Sequence, residues 1–362
     1  MTKFVLPIFC FFTFSFQSLA QHDFDDLYES NATFKDYIES NMADYQLFGK
    51  ESVLEIEIKS DFKKLNSKKD TSKYQKAVIK YAFNDTVTIH RKIGIKARGN
   101  FRRANCNYPP LKLNFPKKKV KLDMLKSFDK MKMVGNCQSG STYEQYLLSE
   151  YYVYKMLNIL TDSSFRVRLI KVNYYDTGKK RGKVESQRYA FIIEPTKAMA
   201  DRLARHIDEN TSFHYGQFPP ENRHLVTLFN YMIGNTDFSI LARHNMKTIM
   251  PNEESNYILP LAIPYDFDYC GMVDPPYAIP ADILPIDDIT QRLFRGPCEP
   301  FEDYQPTLAK FQSNKNQLYD LIGSSTLLNK STKQRMTGYL DSFYEIVDDE
   351  KRLKKELTVN CK

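Results

Sequence analysis

The sequence is poor in several features that would point directly to a chemistry. Its 6 cysteines include no CxxC pair and no Cys/His set at ligand spacing, which argues against structural zinc. Glycine is sparse, at 13 of 362 residues, and no GxGxxG precedes the strand around Lys112, so a phosphate-covering loop of the usual kind is missing. There is no internal repeat and no low-complexity tract, which removes solenoids and linker arrays. Beyond residue 16 no apolar run approaches the ~20 residues of a spanning helix, so no transmembrane anchor is expected in the mature chain.

What is present begins with residues 1–20. Lys3, an apolar run from Phe4 to Phe16 and the ending Ser18-Leu19-Ala20 have the order of a secretory signal, predicting export to a periplasmic or extracellular destination and a mature chain from Gln21. Loss of Lys3 takes the net charge from +8 to +7, and loss of Cys10 leaves five cysteines. An oxidising compartment permits disulfides. Cys106 with Cys137 and Cys270 with Cys298 are the first pairs to test, with one cysteine left over. The basic excess is densest at Lys117 to Lys121 and carries no nucleic-acid recognition motif, so it reads as a solvated loop and no nucleic acid is expected as partner.

Apolar residues at 42% with 14% aromatics predict a folded chain with a large core. After an acidic arm over 21–51, Leu54, Ile56 and Ile58 alternate with charged residues as in a half-buried strand. Further strands are predicted at Ala77 to Phe83, Thr86 to Ile89, Ile93 to Arg98 and Leu111 to Phe115, with a turn at Asn84-Asp85. Leu147, Tyr151, Tyr154 and Leu157 then recur at helical spacing, and Glu150 falls on their stripe, where a carboxylate needs a partner or a purpose. Strands return at Arg168 to Tyr174 and Tyr189 to Glu194. Helical patterning follows, including Val226 to Ile233 and Gln334 to Val347. The order predicts an α+β fold with a β-rich front and a helix-rich back.

Two stretches carry candidate chemistry. Ile233-Gly-Asn-Thr-Asp237, Arg243-His-Asn245 and Ile263-Pro-Tyr-Asp266-Phe-Asp268 place three carboxylates and a carboxamide in loops after apolar segments. Such oxygens are the hard ligands that Mg²⁺ prefers, and an Asp beside them can orient a nucleophile. Upstream, Arg98-Gly99-Asn100-Phe-Arg102-Arg103 precedes Pro110-Leu-Lys112-Leu-Asn-Phe115. Lys112 shares a strand face opposite to Leu111 and Leu113, and Arg98 can fork onto phosphate.

Taken in order, RGNFRR, PLKLNF, a helix with an acidic residue, GNTD…HN and IPYDFD…G resemble the spore coat protein H kinase family and, more distantly, the HipA-type kinases. The resemblance spans Ile93 to Gly271. It implies a two-lobed protein-kinase-like fold with a β-rich N-terminal lobe over 52–194 and a helical C-terminal lobe over 195–362. It also implies transfer of the γ-phosphoryl group of ATP or another nucleotide, with Mg²⁺, to a hydroxyl of a protein or small molecule. On that resemblance Lys112 holds phosphates, paired with Glu150 or, in reserve, Glu144. Asp237 is the catalytic residue, Asn245 a metal ligand, and Asp266 or Asp268 the principal metal ligand. The sequence departs from a kinase catalytic loop at Asn245, eight rather than five residues after Asp237. The alternative reading is a secreted binding or scaffold protein without catalysis. A metal-dependent phosphodiesterase would need more histidine than His244 near the acidic loops.

Overall fold

The computed structural model describes residues 28–42, 47–49, 51–82, 88–99, 101–106, 108–116, 129–179, 184–252, 259–359 and 361. The signal segment, the Asn84-Asp85 turn, Asn100 and the Lys117 to Lys121 run lie outside them.

A short helix α1 (Ala32–Met42) precedes seven strands that close into a barrel in the order β1-β2-β3-β4-β5-β7-β6. The strands are β1 (Leu54–Ser60), β2 (Gln75–Ala82), β3 (Thr88–Ala97), β4 (Leu111–Asn114), β5 (Lys130–Gly135), β6 (Val167–Asp176) and β7 (Val184–Ile193). Neighbours are antiparallel except at the seam, where β1 runs parallel to β6 from Leu54↔Ile170 to Ser60↔Asp176. The two-residue period explains the closure: Ile56, Ile58, Ile79, Ile93, Ile95, Leu111, Leu113, Met131 and Met133 point inward and form one buried cluster. Helix α2 (Phe62–Lys68), capped by the Asp61 side chain on the Lys64 N–H, contributes Phe62 and Leu65 to it. A five-residue helix α3 (Phe101–Asn105) crosses from β3 to β4.

Helix α4 (Ser141–Leu160) connects β5 to β6 and lies against the outside of the barrel. There it meets Val167, Leu169, Phe191 and Ile193, the residues of β6 and β7 that alternate with the inward set. The same cluster continues through α6 (Pro220–Ile233), α7 (Phe301–Ser313), α8 (Lys315–Gly323), α9 (Lys330–Asp348) and α10 (Glu350–Val359), after the short α5 (Thr196–Arg202). A second sheet, β10-β9-β8, is built from β8 (Arg205–Asp208), β9 (Met246–Pro251) and β10 (Leu261–Pro264).

The α+β class stands, but the two-lobed protein-kinase-like arrangement does not. The front strands form a closed seven-stranded barrel of mixed pairing, and the half expected to be helical contains a sheet of its own. Two predicted strands, Thr86 to Ile89 and Ile93 to Arg98, are one continuous β3 over their described part, and β5 went unrecognised. Cys106–Cys137 is bonded as anticipated. Cys298 pairs with Cys361 instead of Cys270, which stays a buried free thiol that burial pushes up to about 12. No described helix is long and apolar enough to cross a membrane.

Candidate functional site

The first acidic loop begins where α6 stops. Gly234 takes a left-handed conformation (φ 66°) and donates its N–H to the carbonyls of Asn230 and Tyr231. The Gly271 N–H then bonds the Gly234 carbonyl (3.1 Å), and Met272 bonds Ile233 (3.0 Å), fastening the GNTD loop to the end of the PYDFD loop. A Cβ on either glycine would collide with the Tyr339 hydroxyl, which packs against both loop ends. Asn235, fully buried, donates to Asn230 Oδ1 (2.8 Å) and accepts the Asp237 N–H (2.9 Å). The Asp237 carboxylate is thereby presented at the surface by a rigid turn.

Asp237 Oδ1 pairs with His244 Nε2 at 2.7 Å, and Oδ2 accepts from Asn245 Nδ2 at 2.9 Å. Arg243 (φ 54°) and Asn245 (φ 50°) both occupy left-handed backbone, which an antiparallel bridge between Ser239 and His244 enforces. The Asn245 carbonyl accepts the Tyr265 N–H (3.0 Å), so the Asp237 loop and the end of β10 are joined directly.

One residue on, Asp266 is also left-handed (φ 66°), held by an N–H bond to the Tyr154 hydroxyl of α4 (2.8 Å). Strain of this kind collects where the surrounding structure over-determines a functional position. The Asp266 carboxylate is half-buried and takes no hydrogen bond or ion pair among the described residues. One oxygen each from Glu150, Asp266 and Asp268 lies within 4.8 Å of the others. Burial and the charges of Asp268 and Asp237 push the Tyr269 phenol up.

Arg102 is the counter-charge. It reaches from α3 with Nη2 2.6 Å from Glu150 Oε2 and Nε 2.8 Å from Asp268 Oδ2, and it donates to the Tyr277 hydroxyl (3.1 Å). Desolvation opposes its charge, but Asp268 and Glu150 outweigh this and hold the guanidinium ionised. Glu150 is fully buried, as its place on the helical stripe predicted, and burial pushes its carboxyl up against the pull of Arg102. Its Oε1 has no hydrogen-bond partner. The pairing of Glu150 with Lys112 suggested by the family resemblance is therefore replaced by pairing with Arg102.

Lys112 lies on the outer face of β4, in register with Lys132 of β5 and Lys96 of β3. Lys132 is the member of this row nearest the acidic loops. Its Nζ sits 4.1 Å from the Tyr265 ring centroid, and desolvation with help from Arg98 brings its ammonium down to about 7, against the attraction of Asp266. Lys112 is lowered by burial and by Lys96, Lys130 and Arg98, against the attraction of Asp129. The structure thus gathers Asp237 with Asn245, and Glu150 with Asp266 and Asp268. Arg98 and Lys112 flank Lys132, a residue that sequence reasoning missed. The alternation Lys130-Met131-Lys132-Met133 was the available signal. Glu194, at a position of unassigned role, is structural: Arg202 grips both its oxygens and the Arg166 N–H bonds one of them.

A loop edge with an open carboxylate beside cations of the opposite face suits a hard divalent cation carrying an anionic ligand. Asp266 and the unpartnered Glu150 oxygen are the donors of the right chemistry for Mg²⁺, and Lys112 and Arg98, beside a Lys132 whose ammonium burial brings down to about 7, offer charge suited to nucleotide phosphates. No protein-family model matches the chain, and no curated protein matches it in sequence, so the site is read from its own chemistry.

Proposed function

We propose that this chain is an exported phosphotransferase that moves the γ-phosphoryl group of ATP or another nucleotide to a protein or small-molecule hydroxyl. The observation that carries the reading is Asp266. Its carboxylate has no partner among the described residues, is held in left-handed backbone, and follows Tyr265, which carries Lys132 on its ring and bonds the Asn245 carbonyl. The sequence resemblance to the spore coat protein H kinase family suggests the reaction class alone, since the closed barrel departs from the kinase-like fold which that resemblance implies. Mg²⁺, when bound, would neutralise phosphate charge.

The residues of the chain divide the work. Lys132, Lys112 and Arg98 bind the phosphates, and Lys132 rests on Tyr265, next to Asp266. Asp266 is the open metal ligand, because Asp268 is already paired with Arg102. Asn245, whose carboxamide nitrogen faces Asp237, orients that carboxylate and has its side-chain oxygen left for a metal. Asp237 accepts the proton of the incoming hydroxyl as its oxygen bonds to phosphorus and the bridging P–O bond to the leaving diphosphate breaks. Each carboxylate oxygen can accept more than one hydrogen bond, so the contacts from His244 and Asn245 leave it this capacity. The signal segment and the two disulfides support action outside the cytoplasm.

The test is Mg²⁺-dependent nucleotide binding and autophosphorylation by the mature chain, with Asp237→Asn and Asp266→Asn beside it. A wild type that neither binds nor turns over any nucleotide overturns the reading. The ion pairs of Arg102 favour a second one, a secreted binding or scaffold protein whose acidic cluster is neutralised internally. It expects the two substitutions to leave nucleotide-dependent thermal shifts unchanged.

A further inference from the structure

Arg102 already stands where a bound cation would draw on Glu150 and Asp268. The guanidinium contacts Glu150 Oε2 at 2.6 Å and Asp268 Oδ2 at 2.8 Å, so a divalent ion on these carboxylates, even one taking the free Glu150 Oε1, would stand close to its charge. Two cations on the same buried carboxylates repel each other. Withdrawal of Arg102 therefore favours a metal on the triad.

The segment carrying Arg102 is tethered. Gly99, exposed and in left-handed backbone (φ 79°), lies two residues before Phe101, where α3 begins. At its other end the Cys106 N–H bonds the Arg102 carbonyl (2.8 Å), and Cys106 is disulfide-bonded to Cys137, just beyond β5. Lys69 adds bonds to the carbonyls of Ala104 and Cys106 (3.1 and 3.0 Å). Asp266, whose N–H is held by the Tyr154 hydroxyl, keeps an open carboxylate beside the occupied pair.

We infer that Arg102 is a resident counter-cation that competes with a divalent metal for Glu150 and Asp268, and that the Cys106–Cys137 bond holds it in that competing position. The inference rests on the metal-binding part of the proposed function and needs no phosphoryl transfer. Arg102 pairs with two of the three carboxylates, and metal binds the triad more tightly as the guanidinium withdraws.

The experiment measures Mn²⁺ alone, by calorimetry and by the loss of its free-ion magnetic resonance signal, on the mature chain. Arg102→Gln is expected to bind Mn²⁺ about tenfold tighter or more, and Arg102→Lys, which keeps the charge, close to wild type. The Cys106→Ser/Cys137→Ser double variant, which retains every charged group of the site, should also bind more tightly than wild type. Asp266→Asn should weaken binding in each background. If Arg102→Gln fails to fold, the double variant decides alone. Affinity equal to or weaker than wild type in the folded variants overturns the inference and leaves a metal site in which Arg102 only supports its neighbours. Absence of Mn²⁺ binding in every form overturns it too, and removes the metal from the proposed function. A chain that binds Mn²⁺ as expected but never turns over nucleotide would fail only the phosphotransferase reading.

Discussion

Asn245 closes the loop of Asp237 by giving the same carboxamide nitrogen to the Asp237 carboxylate (2.9 Å) and to the Asp237 carbonyl (2.8 Å). The two residues are eight apart, which in sequence looked like a departure from a kinase catalytic loop. The intervening chain doubles back through the Ser239–His244 bridge and two left-handed residues, so the longer spacing still delivers the Asn to the Asp.

On the proposed reading, Asp237→Asn lowers phosphoryl transfer by about 10²- to 10⁴-fold, the range of a lost proton acceptor, with little change in melting temperature because the side chain is 42% exposed. Asn245→Gly should be more stable than Asn245→Ala, since only alanine sets a Cβ against the φ of 50°, a difference of about 1 kcal/mol. Nucleotide turnover and thermal denaturation of the three variants check this.

Lys132 should be the most reactive amine of the site. With an ammonium that titrates at about 7, it is largely unprotonated at pH 8, whereas ordinary lysines titrate at about 10.4. Brief acylation at pH 8 followed by peptide mapping is expected to find it labelled ahead of Lys112. The linkage sign follows from the depressed value: between pH 7 and about 10 the unfolded chain binds the extra proton, so stability contributed by this group rises with pH and is lost as pH falls through 7. Melting curves of wild type against Lys132→Met over that window should converge at the alkaline end.

Cys298–Cys361 closes a separation of 63 residues and anchors the chain just past α10, whose Leu353 and Leu357 enter the main core. Cys361→Ser is expected to cost about 4 kcal/mol by loop-closure entropy. Denaturant unfolding under non-reducing conditions reads the loss. Cys270, buried and pushed up to about 12, should stay unalkylated in the native chain at pH 8.

Gly234→Ala should destabilise the chain by more than the ~1–2 kcal/mol of a left-handed alanine, because its Cβ also meets the Tyr339 hydroxyl. Removing that hydroxyl with Tyr339→Phe should restore part of the loss in the double variant. Additive losses in the thermal melts would show that the collision is relieved elsewhere.

The sequence alone determined the local periodicities and the residue chemistry. Leu54, Ile56 and Ile58 announced β1, the Leu147–Tyr151–Tyr154 stripe announced α4, and Glu150 on that stripe was recognisable as a buried carboxylate in need of a partner. The GNTD and PYDFD segments stood out as candidate loops because both set carboxylates after apolar runs. Only the tertiary structure decided which cation answers Glu150, since Arg102 and Glu150 are 48 residues apart and both Lys112 and Arg102 had the right charge. It also decided that β1 meets β6 in parallel and shuts the barrel, a long-range pairing that no alternation pattern encodes. Periodicity fixes which face of an element is buried, whereas the identity of the neighbour depends on chain crossings summed over the whole fold. For the same reason the missing glycine-rich loop and the absent CxxC limited the chemistry but could not locate it. That location came from the fold, which brings Arg102 and Glu150 to Asp266 and Asp268.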